Sequence, residues 1–258
     1  MHLNALLDAL RPVAYEAGQR IMAIYAMGQD MPSSAKGDGS PVTLADQAAE
    51  AIILEGLQRI APHIAVISEE NAASHHLAPP SQFFLVDPLD GTKEFLKRDG
   101  KGAFTVNIAL IEQGVPVAGL VYAPALDRMF TGAVDIGAQE SSKGRTQAMT
   151  TRAPSTGGLI AVASESHRDD QTNAWLSTHP IAQTTAIGSS LKFCLLAAGQ
   201  ADVYPRFSPT MEWDTAAGDA VLRSAGGVVT HADARMFEYG KPGYRNGAFV
   251  AWGRPPQA

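Results

Sequence analysis

Val86-Asp87-Pro88-Leu89-Asp90-Gly91-Thr92-Lys93-Glu94-Phe95 is the stretch on which the reading of the chain turns. The apolar run Phe83-Phe84-Leu85-Val86 in front of it predicts a buried strand. Pro88, with no N–H for a sheet ladder, is expected to end that strand. Asp87 and Asp90 then sit three residues apart on a turn at the strand's end. Gly91 and Thr92 predict the first turn of a short helix, whose free N–H groups would face an anion. One small loop therefore offers hard oxygen ligands for a cation beside amide donors for a phosphate.

Working outward, Leu3, Leu6, Leu7, Leu10, Val13, Ala14, Ala17, Ile21 and Ile24 recur at helical spacing, predicting an amphipathic helix over 3–26 with Pro12 inside it. Residues 28–39 read as loop. Thr43 with Asp46 three residues on resembles a helix start close to a capping box, continued by Ala48, Ile52, Ile53, Leu57 and Ile60 to about Ala61. Ile64–Ile67 predicts a short strand ending in Ser68-Glu69-Glu70. Beyond the central turn, 104–111 and 117–122 predict an antiparallel hairpin around Glu112-Gln113-Gly114, with 128–131 as a third strand. Residues 135–157, rich in Gly, Ser, Thr and Gln, read as an exposed connection and as the boundary between a half spanning 1–150 and a smaller α/β half spanning 151–258. In that second half, strands (159–163, 184–187, 201–204, 226–229) alternate with helices (169–178, 190–198, 214–224), which suggests a sheet covered by helices.

Composition sets limits. The chain has 258 residues, 45% hydrophobic and 18% charged, which describes a soluble globule able to bury a core. A net charge of −6 argues against long nucleic acid as partner, since that needs a basic face. A small anionic ligand fits if metal ions mask the local carboxylates. Cys194 is the single cysteine, so no internal disulfide is expected and a reducing cytoplasm suits the chain. Its neighbours Phe193, Leu195 and Leu196 predict a buried structural thiol. The N-terminus lacks the basic n-region of a signal peptide. No apolar run approaches the ~20 residues of a membrane span, which leaves peripheral attachment compatible with the sequence.

Acidic residues recur where elements begin or end: Asp46, Glu69, Asp87, Asp90 and Asp214. Each alone has a plain structural reading. Asp46 and Asp214 could be helix caps, which stabilise by ~1 kcal/mol. Glu69 and Glu70 could be a solvated strand terminus, and Asp90-Gly91 a turn dipeptide. Singly, only the Asp87–Asp90 pair stands apart from such readings.

Together the segments carry a resemblance. Asp87-Pro88-Leu89-Asp90-Gly91-Thr92, preceded by Ser68-Glu69-Glu70 and followed by Trp213-Asp214-Thr215-Ala216-Ala217-Gly218, resembles the signature set of the inositol monophosphatase-like superfamily of magnesium-dependent, typically lithium-sensitive phosphomonoesterases. Four further segments are similar to its bisphosphate nucleotidase branch, in the form found in bacterial 3'(2'),5'-bisphosphate nucleotidases of the CysQ type. They are Lys36-Gly37-Asp38-Gly39-Ser40-Pro41-Val42-Thr43, Lys93-Glu94-Phe95, Gly188-Ser189-Ser190-Leu191-Lys192-Phe193-Cys194 and Tyr204-Pro205-Arg206-Phe207. The likeness is densest at 36–46, 67–124 and 187–226.

The resemblance implies an αβαβα sandwich of the carbohydrate phosphatase fold, with the active site between the two halves. It implies that Glu69, Asp87, the Leu89 carbonyl, Asp90 and Asp214 bind two or three Mg²⁺ ions, a hard cation that wants oxygen ligands. It implies in-line attack of water on the 3'-phosphate of adenosine 3',5'-bisphosphate, giving AMP and phosphate. Thr92 and Asp46 would hold and help deprotonate the water, with Glu69 counted among the catalytic groups. Gly91 and Thr92 amides would meet the phosphate, beside Glu69, Leu89, Asp90 and Asp214. Ser189, Lys192 and Arg206 would hold the rest of the nucleotide, although Lys192 and Arg206 also read as ordinary surface charges. His167 either lines the adenosine side or is a surface histidine. A cytoplasmic monomer or homodimer is implied, at most peripherally attached to the inner membrane. Two features depart from the pattern: Glu212, an acid next to the site that is expected to point outward, and Asn246-Gly247, where a looser last loop is expected. Two other readings stay open, an inositol or sugar monophosphatase and a catalytically silent phosphate-binding protein.

Overall fold

The computed structural model describes residues 2–27, 33–35, 41–154, 156–164 and 168–255, and of 33–35 and 41–43 the backbone alone. The first half runs α1 (Leu3–Ala26), β1 (Ser33–Ala35), β2 (Pro41–Thr43), α2 (Leu44–Ile60), β3 (Ala65–Ser68), β4 (Gln82–Asp90), α3 (Thr92–Lys97), β5 (Thr105–Glu112), β6 (Val115–Ala123), β7 (Arg128–Ala133), β8 (Gly137–Ser142) and β9 (Arg145–Met149). The second runs β10 (Leu159–Ser164), α4 (Asp170–Thr178), β11 (Ile181–Ile187), α5 (Leu191–Ala197), β12 (Val203–Arg206), β13 (Thr210–Met211), α6 (Ala216–Ser224), β14 (Val228–His231), β15 (Arg245–Asn246) and β16 (Phe249–Trp252).

Strands β3 to β9 form a seven-stranded sheet in sequence order, antiparallel except for the parallel β3–β4 pair. A five-stranded mixed sheet has the order β11-β10-β12-β16-β14. Because successive strand residues face opposite sides, β4 feeds two cores. Phe84 and Val86 pack with Leu6, Leu10, Ile53 and Leu57 of α1 and α2. Phe83 and Leu85 join Phe193 of α5 and Val221 of α6 in the layer between the sheets. On the far face of the second sheet Leu176 of α4 packs with Leu159, Ala161 and Val203. The layers are therefore α1/α2, sheet, α5/α6, sheet and α4, an αβαβα sandwich. Gly119 on β6 lets α6 approach, since a Cβ there would lie 2.4 Å from the Ala217 carbonyl oxygen.

Pro88 does not end the central strand. β4 continues to Asp90, and the register slips between Asp87, paired with Asn107, and Asp90, paired with Thr105. Pro88 sits in that bulge, one of the few sheet positions where a missing N–H costs nothing. The bulge re-aims the chain so that both aspartates serve one site. The hairpin turn at Gln113 and Gly114 has φ of 49° and 78°, as a tight two-residue turn between twisted strands requires.

Residues 135–157 are not an open connection. They contain β8 and β9, which extend the first sheet and are pinned by the ion pair of Arg128 with the buried Glu140 at 2.6 Å. Their Gln, Glu, Ser and Thr residues hide an edge hairpin from a periodicity test, because neither face is strongly apolar. The strand Phe249–Trp252, at the end of the chain, was not anticipated, yet it lies between β12 and β14. α6 begins at Ala216 with Thr215 at its cap, so Asp214 is no helix cap.

Candidate metal and phosphate site

Three carboxylates from three segments converge. One ligand oxygen from each of Glu69, Asp87 and Asp214 lies within 4.8 Å of the other two, and no other His, Cys, Asp and Glu group among the described residues does this. Glu69 follows β3, Asp87 and Asp90 end β4, and Asp214 precedes α6. They line a cleft of about 480 Å³ together with Leu89, Gly91 and Thr92. Ser189, Lys192 and Arg206 line the same cleft. Every anticipated metal and substrate residue among the described ones except Asp46 thus reaches it. Asp46, in the first turn of α2, is buried behind Asp87 and adds its negative charge to the environment of that carboxyl.

Among the described residues, each of these aspartates has one oxygen held by a hydrogen bond and one without a partner. The Leu89 amide donates to Asp87 Oδ1 at 3.1 Å, and the Met211 amide to Asp214 Oδ2 at 2.8 Å. Asp90 Oδ2 accepts from the Ser190 amide at 2.6 Å. The Leu89 carbonyl accepts from the Thr92 hydroxyl at 3.2 Å. Gly91, at φ 91°, caps α3 in the left-handed region, where a Cβ would also come within 2.9 Å of the Ala103 carbonyl oxygen.

Crowded acids resist ionising. Burial, then the charges of Glu69, Asp90, Asp214 and Asp46, hold Asp87 well above the usual carboxylate range. Burial, then Asp90 and Glu69, push Asp214 up to about 8. Burial also raises Asp90, against the pull of the Lys192 ammonium and the Ser190 hydrogen bonds. An all-oxygen set that repels itself in this way fits a hard divalent cation, which would restore every carboxylate to its charged form.

Two basic side chains share the cleft. Lys192 is 3% exposed, so it is no ordinary surface lysine. Its ammonium donates to the Ser189 carbonyl at 2.7 Å and the Ile187 carbonyl at 3.2 Å, and lies 5.1 Å from the Tyr204 ring centre. Burial lowers it to about 8, with Asp90 pulling the other way. Arg206 is braced by the Ser208 and Pro209 carbonyls.

A family model for the inositol monophosphatase family matches residues 2–254. The chain belongs to the inositol monophosphatase family. Among its relatives is the 3'(2'),5'-bisphosphate nucleotidase CysQ of Salmonella typhimurium, 46% identical over 91% of this chain and 94% of the relative. The CysQ of Escherichia coli K12 is 44% identical over the same shares. Among solved structures, CysQ from Bacteroides thetaiotaomicron superposes with a TM-score of 0.82 at 35% identity, covering 98% of this chain and 99% of the other.

Two features that depart from the family pattern behave differently from expectation. Glu212 does not point outward. It is fully buried and turned from the cleft, its carboxylate accepting from the Gly240 and Lys241 amides at 2.7 and 2.9 Å and pairing with the Lys241 ammonium at 2.6 Å. An acid so held adds no repulsion to an anionic ligand. The last loop is not loose, because the buried Asn246 Nδ2 donates to the Met211 carbonyl at 2.9 Å and to Thr215 Oγ1 at 3.0 Å and lies 3.2 Å from Thr210 Oγ1. His167 and the segment 36–40 lie outside the described residues. Asn107 and Ser190, both buried against Asp90, were not singled out from sequence. The available signal was a lone amide inside the apolar run Val106-Asn107-Ile108. Cys194 is fully buried, and burial raises its thiol, as a structural residue requires.

Proposed function

We propose that this protein is a magnesium-dependent phosphomonoesterase that hydrolyses the 3'-phosphate of adenosine 3',5'-bisphosphate to AMP and phosphate. One observation carries the reading: a single cleft is lined by a self-repelling acid cluster and by a buried lysine and a braced arginine. The acid half suits Mg²⁺ and a transferring phosphoryl group, and the basic half suits a second phosphate. Relatives 44–46% identical over nine-tenths of the chain carry the name of this activity. The sulfated analogue of the substrate offers the same 3'-phosphate.

Glu69, Asp87, Asp90, Asp214 and the Leu89 carbonyl would hold two or three Mg²⁺ ions, with the untied oxygens of the aspartates facing the cleft. Bound there, the ions lower the pKa of water, neutralise phosphoryl charge and stabilise the leaving oxygen. Thr92 would hold the attacking water and help take up its proton, and Asp46, which does not line the cleft, would act through its charge on Asp87. The Gly91 and Thr92 amides hold the phosphoryl oxygens at the start of α3. A water oxygen–phosphorus bond forms as the bond from phosphorus to the 3'-oxygen breaks. Ser189, Lys192 and Arg206 grip the nucleotide. Inhibition by Li⁺ follows if the ion competes at the same oxygens, and a buried single thiol suits a cytoplasmic setting.

A phosphate-release panel tests this. Adenosine 3',5'-bisphosphate, its sulfated analogue and an inositol monophosphate are compared with and without Mg²⁺ and Li⁺. Preferential, Mg²⁺-dependent turnover of the two nucleotides supports the reading. Preference for the inositol substrate transfers it to the monophosphatase activity, and no turnover of any ester makes the chain a silent binder.

A further inference from the structure

Three segments of the site meet at one side chain that no catalytic role has claimed. Ser190 is 1% exposed, just ahead of α5. Its amide donates to Asp90 Oδ2 at 2.6 Å. Its hydroxyl lies 2.7 Å from the Asp214 carbonyl and 3.1 Å from Asp90 Oδ2. From β5, the Asn107 amide group donates to that hydroxyl at 2.9 Å and makes a longer 3.4 Å contact with Asp90 Oδ2. A hydroxyl has one proton to give. Having accepted from Asn107, Ser190 gives it to the nearer acceptor, the main chain of Asp214, while its amide holds Asp90.

Asn107 is fully buried, and its Oδ1 has no hydrogen-bond partner among the described residues. Stability alone disfavours such a group, since an unsatisfied buried polar atom is a net cost. Its retention points to what it orients. The terminal torsion of an aspartate is broad, so an unconstrained carboxylate can offer either oxygen or both. Mg²⁺ demands near-ideal octahedral geometry and tolerates little such freedom.

We infer that the Ser190 hydroxyl, oriented by Asn107, is a positioning group of the ion site: it ties the Asp214 main chain to the point at which the Ser190 amide holds Asp90 Oδ2, so that Ser190→Ala loses the tie to Asp214 while the amide on Asp90 remains. This rests on the proposed reading of Asp90 and Asp214 as ion ligands. The two acids come from different layers of the sandwich, and the serine joins their positions through two hydrogen bonds.

Calorimetric titration of Mg²⁺ into the metal-stripped protein, without substrate, tests it, with Mn²⁺ binding by electron paramagnetic resonance as the second readout. Ser190→Ala is expected to weaken ion binding about tenfold and to raise the Mg²⁺ needed for half-maximal phosphate release by a similar factor, with saturating Mg²⁺ restoring kcat. Ser190→Thr, which keeps both donors, is expected to recover most of the affinity, and Asn107→Ala to show a smaller loss in the same direction. Ion affinity unchanged in a folded Ser190→Ala protein overturns the inference. So does a Ser190→Ala protein that is unfolded at every Mg²⁺ concentration, because the residue is then scaffold. Asp90→Asn runs alongside: if it too leaves Mg²⁺ binding unchanged, the ligand assignment itself is what has failed, and this inference falls with it.

Discussion

Asp202 is a buried and Asp214 a half-buried aspartate of the second half, and the fold treats them oppositely. Asp202 accepts from Arg152 through both carboxylate oxygens at 2.9 and 2.8 Å and from the Ile160 amide at 2.7 Å. Burial works against its charge, but Arg152 and the Ile160 amide outweigh that and hold its pKa below the usual range. Asp214 has the Met211 amide and, among the described residues, no ion pair. Its nearest charged company is acidic, and its pKa rises to about 8. An acid that the fold completes is structure. An acid that it leaves uncompleted, among others in the same state, is a site that waits for a cation from solution.

The comparison breaks most visibly at the chemistry. Asp90→Asn should cut kcat by more than about tenfold, a barrier increase above ~1.4 kcal/mol, while circular dichroism shows a folded protein. A smaller loss in phosphate release would contradict a ligand role for Asp90.

The next effect is on stability, where the two aspartates should respond with opposite signs. Arg152→Ala strands the Asp202 carboxylate and should cost about 2–3 kcal/mol in denaturant unfolding, at the low end for a buried pair because Arg152 is partly exposed. Asp214→Asn removes the cost of keeping a proton on this acid and should stabilise the metal-free protein at neutral pH. Equal responses at both positions would erase the distinction.

Proton linkage sharpens it further. Between the ordinary carboxylate range and about 8, folded Asp214 keeps a proton that the unfolded chain has released, so its contribution to stability falls as pH rises through that window. Asp202 works in the other direction: its stabilisation is present above the ordinary carboxylate pKa and is lost as pH falls through the lowered value. Lys192, lowered to about 8, carries a constant burial cost below that pH and is relieved only above it. Thermal melts of metal-free protein should therefore decline from pH 5 to pH 8, and millimolar Mg²⁺ should abolish the decline. A flat metal-free profile would refute the crowded-acid account.

The smallest effect concerns substrate choice. Lys192→Ala should raise KM for adenosine 3',5'-bisphosphate about tenfold, ~1.4 kcal/mol, and leave an inositol monophosphate nearly unaffected. Equal losses on both substrates would move Lys192 from the nucleotide to the shared phosphoryl site.

Much of this was readable before any coordinates. The helices α1 and α2 announce themselves by apolar spacing, and the β5–β6 hairpin by its Gln113-Gly114 turn. The pair Asp87 and Asp90 stands out because two acids at the end of a buried strand are costly unless used. Other parts were hidden for definite reasons. β8 and β9 are polar on both faces and are held by ladder hydrogen bonds and the Arg128–Glu140 pair, which leave no periodic trace. Glu212 looked like a misplaced charge because its partners, Gly240 and Lys241, lie 28 and 29 residues further on. Pro88 looked like a terminator because a bulge cannot be read from one strand alone.

By itself the order of residues determined most of the elements, the oxygen-rich chemistry and the family, because these depend on neighbours within a turn or a strand. Only the tertiary structure decided that Glu69, Asp87 and Asp214 share a few ångströms, that the buried Lys192 lines the same cleft, and that Ser190 joins two of the acids. Convergence of that kind is set by how the two sheets pack through α5 and α6, and packing between distant segments has no signature in any one of them.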